Sequence, residues 1–64
     1  MKNREFRLTA VMPRMGLVQV YSYIAGKYYN PVLYEKDGVK GFDFRKQWHV
    51  LSDCIDENTR ITEF

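Results

Sequence analysis

A single cysteine, Cys54, in a chain of 64 residues is the feature that most narrows what this sequence can fold into. Domains this short bury only about 60% of the surface their unfolded chains expose, and small folds usually compensate with disulfides or a metal. Neither route is open here. Cys54 has no second cysteine to pair with, and His49 is the only other strong zinc ligand, where a structural site wants about four such groups. The core must stand on apolar side chains alone or be completed by another chain. An unpaired cysteine also suits a reducing compartment, so the cytoplasm is the expected location. No apolar run exceeds four residues, so neither a signal peptide nor a membrane span is expected. A single small β domain over residues 1–64 is expected.

The β assignment comes from composition and period together. Six Val, three Ile, three Thr and ten aromatic residues outnumber two Ala, four Leu and three Met, a bias towards sheet over helix. In Arg4 to Met12, Phe6, Leu8, Ala10 and Met12 fall on one side with Arg7 and Thr9 on the other, leaving only Val11 out of phase. Pro13 to Gly16 is a turn. Leu17 to Ile24 forms a second strand, with Val18, Val20, Ser22 and Ile24 on one face and Tyr21 and Tyr23 on the other. Tyr28 to Glu35 forms a third, in which Pro31 cannot donate to a ladder and marks an edge or a bulge. Asp37-Gly38 is a hairpin signal leading to Val39 to Phe44, with Phe42 and Phe44 inward and Gly41 a candidate bulge.

Arg45 to Cys54 fits a strand or a short helix, and the weak helix formers His49, Val50 and Ser52 favour the strand. Thr59 to Phe64 alternates again. The expected fold is all-β: a meander of five or six short antiparallel strands, as a partly closed barrel or a strongly bent sheet, with one short helix near residues 45–54 as the variant form. Phe6, Phe42, Phe44 and Trp48 are the expected aromatic core.

Catalysis is not expected. Cys54 and His49 with Asp53 can be written as nucleophile, base and orienting group, but a lone cysteine in a small domain is usually a buried apolar side chain. Gly16, Gly26, Gly38 and Gly41 are scattered one by one, so no phosphate-binding loop can be drawn. Asp53, Asp56 and Glu57 lack the spacing of a calcium loop. No cofactor and no metal are expected.

Charge is unevenly distributed along the chain. Residues 1–52 carry nine basic and four acidic side chains, a balance of +5, and residues 53–64 carry one basic and four acidic, a balance of −3. Two functions fit. The first is a non-catalytic module that binds another, acidic protein or a second copy of itself, as a regulator or inhibitor-like adaptor would. Tyr21, Tyr23, Tyr28, Tyr29 and Trp48 are its expected anchors, with Lys27, Lys36, Arg45 and Lys46 steering the partner. The second is a small nucleic-acid binder that stacks bases on the tyrosines beside Lys27, Lys36 and Lys40, although a +2 net charge is low for that role.

Overall fold

In the computed structural model, which describes residues 5–62, the chain forms seven short strands in two sheets and one helical turn. The strands are β1 (Phe6–Met12), β2 (Leu17–Ser22), β3 (Lys27–Tyr29), β4 (Leu33–Lys36), β5 (Val39–Phe44), β6 (Gln47–Val50) and β7 (Arg60–Ile61), with α1 (Leu51–Cys54) after β6. The first sheet has the order β3-β2-β1-β7 and the second β4-β5-β6. Of the two expected forms, the bent one is present. Arg4 at the expected start of the first strand, and residues 63–64 at the end of the last, lie outside the described residues.

The strand count exceeds expectation because the third predicted strand divides at Pro31. Its first half pairs with β2, Val20 opposite Tyr29, and its second half crosses to the other sheet and pairs with β5, Leu33 opposite Phe42. Proline has no N–H for a ladder, but its carbonyl remains usable. Val18 N–H donates to Pro31 O at 3.0 Å, and Leu33 N–H donates to Gly16 O at 2.8 Å, so the crossing is hydrogen-bonded to the start of β2.

Val11 is not out of phase after all. The β1–β2 register slips between Leu8 and Ala10, leaving Thr9 as an extra residue that shifts the alternation by one. Phe6, Leu8 and Val11 are buried, whereas Ala10 and Met12 are only half-buried. The Thr9 hydroxyl lies 3.0 Å from Gln19 O and 2.9 Å from Gln19 Oε1, and the Leu8 carbonyl accepts from Thr59 Oγ1 at 2.8 Å. Polar atoms beside the slip are thereby partnered.

The core joins Phe6, Leu8, Val11, Val18 and Val20 of the first sheet to Phe42 and Phe44 of the second, with Cys54 closing it from α1. The Phe6 ring meets Phe42 and Phe44 edge-on, at centroid separations of 6.0 and 5.1 Å. Two sequence expectations fail at its margins. Ile24 lies beyond the end of β2 and is 62% exposed, and Trp48 is half-buried on the outer face of the second sheet instead of in the core. Inward from β6 comes His49, stacked on Phe42 at 5.5 Å and edge-on to Phe6 at 4.8 Å.

Residues 45–54 combine both alternatives, a strand to Val50 and then a single turn of helix. The chain returns along β1, but β7 runs parallel to it, Ala10 opposite Arg60 and Val11 opposite Ile61, where an antiparallel strand was expected. Thr62 N–H donates to Val11 O at 2.9 Å and adds a further rung.

Gly41 is no bulge, since it pairs in register with Tyr34 and Val50. Its missing side chain makes room: a Cβ there would lie 2.7 and 2.9 Å from two Trp48 ring carbons and closer still to the His49 carbonyl. Replacing Gly41 by Ala is expected to lower unfolding free energy by about 2 kcal/mol or more, in the upper range for overpacking. Urea denaturation checks this. Trimming Trp48 to Leu in the same chain should restore only part of the loss, because the His49 backbone stays in the way.

Candidate functional site

Strand alternation that buries Val18, Val20 and Ser22 turns Tyr21 outward, and the register then builds a row across three strands. Arg7 of β1 lies opposite Tyr21 of β2, which lies opposite Tyr28 of β3. Tyr21 packs edge-on against Tyr28 at 5.0 Å and Tyr23 at 5.6 Å, within the usual range for aromatic pairs. Tyr21 is half-buried, while Tyr23 and Tyr28 are 56% and 59% exposed. These tyrosines, with Arg7 and Thr9, line a shallow cleft of about 250 Å³.

The remaining expected site residues fall elsewhere. Tyr29 points away from its neighbour Tyr28, packs against Phe44 at 5.5 Å and carries the Lys27 ammonium 5.8 Å from its ring centre. Trp48 sits on the outer face of the second sheet, 5.1 Å from the Tyr34 ring and 4.6 Å below the Lys36 ammonium. Such cation–ring contacts contribute about 0.5–1 kcal/mol where exposed. Tyr34 also donates its hydroxyl to Asp43 Oδ2. That hydrogen bond is the main reason its pKa rises above 10.0, with slight desolvation and the Asp43 charge adding to it.

Arg45 and Lys46 form the two-residue turn between β5 and β6, both with left-handed backbone, at φ 56° and 66°. A tight hairpin of this kind prefers Asn-Gly, and each side-chain-bearing residue held there costs roughly 1–2 kcal/mol. Asp37-Gly38 meets the same demand at the β4–β5 turn with a sequence suited to it. The Arg45 guanidinium reaches Glu5 Oε1 at 3.4 Å, both side chains being about half exposed.

The nine expected contact residues therefore occupy separate places: a tyrosine row, the Tyr29 side, the Trp48 face and the strained turn. Sequence reasoning passed over Arg7 and Thr9, which complete the row, and the Tyr34–Asp43 pair. Arg7 becomes the partner of Tyr21 only through the Thr9 slip, since unbroken pairing back from Met12 and Leu17 would set it against Ser22. Cys54 packs into the core and, with Asp53, borders a cleft beside Phe6, and among the described residues no three His, Cys, Asp or Glu side chains gather to hold a metal. Among the same residues no helix is long and apolar enough to cross a membrane.

No family model matches the chain, and no curated protein and no solved structure matches it.

Two outcomes test this geometry. Replacing Arg45-Lys46 by Asn-Gly relieves the turn and gives up a surface ion pair worth at most about 1 kcal/mol, so a net gain of about 1 kcal/mol is expected. It would appear as a higher urea midpoint at unchanged slope. In an NMR titration Tyr34 should ionise above 10.0, and Asp43→Asn should lower that value. The fold favours the neutral hydroxyl, so this contact's contribution is complete below 10.0 and fades as pH rises through the pKa of folded Tyr34.

Proposed function

We propose that this chain is a non-catalytic binding module that holds a second protein against the tyrosine row of its first sheet, working as a regulator or adaptor in a reducing, cytoplasmic setting. The observation that carries the reading is the assembled state of the row. Tyr23 and Tyr28 leave more than half their surface in water while both lean on Tyr21. Tyrosine offers a large amphipathic contact with few torsions to fix, so rings already braced against one another lose little further freedom on docking. Arg7, directly opposite Tyr21, favours an acidic group on the partner.

Nucleic acid is the weaker reading because the cations do not follow one groove. Lys27 lies over Tyr29, Lys36 over Trp48 and Arg45 beside Glu5, and among the described residues Arg7 is the one cation lining the tyrosine cleft. Single-strand binders instead align several Lys or Arg side chains with their stacking platforms, and phosphate neutralisation carries most of their affinity.

The immobilised chain is expected to retain a protein from extract of the cells that encode it, with nuclease treatment making no difference. Tyr23→Ala together with Tyr28→Ala should abolish that retention and lower the chain's own unfolding free energy by about 1–2 kcal/mol, the loss of two partly exposed aromatic pairs, with the fold kept. Retention that survives the double substitution would rule out the row, and retention lost to nuclease would favour nucleic acid.

A further inference from the structure

A second surface of this fold has the opposite character to one of the chain's own segments. Where the end of β2, the chain up to Pro31 and the end of β5 converge, a trough of about 550 Å³ opens, walled by Ile24, Tyr29, Pro31 and Phe44, with Arg45 on its rim. Ile24 is 62% exposed and Tyr29 37%, so these walls present apolar surface to water. Lys27 stands over the Tyr29 ring, and Lys46 follows Arg45 in the strained turn. Asp43 also borders the trough, but its Oδ2 accepts the Tyr34 hydroxyl.

A carboxylate already sits against this rim. Glu5 lies 3.4 Å from Arg45 in an ion pair open to water, and such pairs contribute about 0–1 kcal/mol, so another carboxylate can displace it at little cost. The chain carries a matching segment just after α1. Ile55 is 39% exposed and is followed by Asp56 and Glu57, both exposed, within residues 53–64 that hold the −3 balance. Ile55 does not reach its own trough, for it borders a different cleft with Phe6, Arg7 and Tyr23.

We propose that the trough of one copy receives Ile55 of a second copy, with Asp56 and Glu57 of that copy meeting Arg45 and Lys46. One aliphatic side chain enters an apolar trough and two carboxylates meet two cations, of which Arg45 already accommodates a carboxylate. The contact joins unlike patches, so each copy keeps a free trough or a free acidic segment and association extends into a ring or a chain of copies. So small a contact gives weak association that depends on concentration and falls with salt. The proposal does not rest on what the tyrosine row binds.

Sedimentation equilibrium of the purified chain tests it without any other partner. The wild-type mass should climb above 7.7 kDa with concentration at low salt and return to that value near 1 M salt, where the screening length is about 3 Å. Arg45→Glu with Lys46→Glu removes the receiving half, and Ile55→Ser with Glu57→Lys removes the inserting half. Asp56 is kept because its carboxylate accepts the Asn58 N–H at 2.8 Å. Each variant alone should associate about tenfold more weakly or worse, which corresponds to about 1.4 kcal/mol. Mixed in equal amounts, they should recover pairs, since one supplies an intact trough and the other an intact segment. A wild type that keeps a mass of 7.7 kDa at every concentration, variants that associate as the wild type does, or a mixture that forms no pairs would each overturn the proposal. Circular dichroism of each variant identifies any loss of fold, in which case Glu57→Lys and Lys46→Glu, as single exposed changes, replace the pairs and the same outcomes decide.

Discussion

The Phe6 ring meets Phe42, Phe44 and His49, three rings carried by the second sheet, in edge-to-face contacts, and this cluster is the aromatic centre of the core that joins the two sheets. A chain without a disulfide depends on such contacts for its stability. Deleting a buried Phe costs about 3–5 kcal/mol in ordinary cores, which is a large part of what a domain of this size possesses. Everything on the outer faces depends on it. The tyrosine row stands on the reverse side of β2, which buries Val18 and Val20, and Trp48 and Tyr34, on the strands flanking β5, stand on the sheet face opposite the one that buries Phe42.

Much of the fold was legible because period two survives within each strand. Val18, Val20, Phe42 and Phe44 are buried as their alternation implies, and Asp37-Gly38 forms the turn that its composition favours. What was not legible lies where one residue changes the phase or the direction of the chain. Thr9 carries no local signal for a bulge, and its slip is fixed by Gln19 across the ladder and by Thr59, which is distant in sequence. Pro31 signalled an interruption, but not that the chain would pass from one sheet to the other. That outcome needs the carbonyls of Pro31 and Gly16 bonded to Val18 and Leu33, which no local pattern encodes.

The candidate site shows the same division. Outward tyrosines on β2 follow from inward valines, so Tyr21 was predictable once Val20 was in the core. That Tyr28 and not Tyr29 stands beside it is a matter of register, because adjacent strand residues face opposite ways. Trp48 is expected from the sequence both in the core and among the interface anchors. The open space above Gly41 holds it on the outer face instead, where Lys36 and Tyr34 cover part of it. The Arg45-Lys46 turn was invisible for another reason: its residues argue against the backbone they adopt, and strain of this kind persists where the rest of a structure overrides local preference.

The parallel seam between β1 and β7 bears on the order in which the molecule assembles. The hairpins β1–β2, β4–β5 and β5–β6 join neighbouring segments and can form early, whereas Ala10 waits for Arg60 and Val11 for Ile61 until nearly the whole length has been brought round. Until then one side of β1 offers unpaired backbone groups to any passing strand, the circumstance in which small β proteins stick to one another. The two-residue β7 thus acts as a cover applied last, and a chain cut just before Arg60 would keep its core residues yet lose the guard on its longest strand.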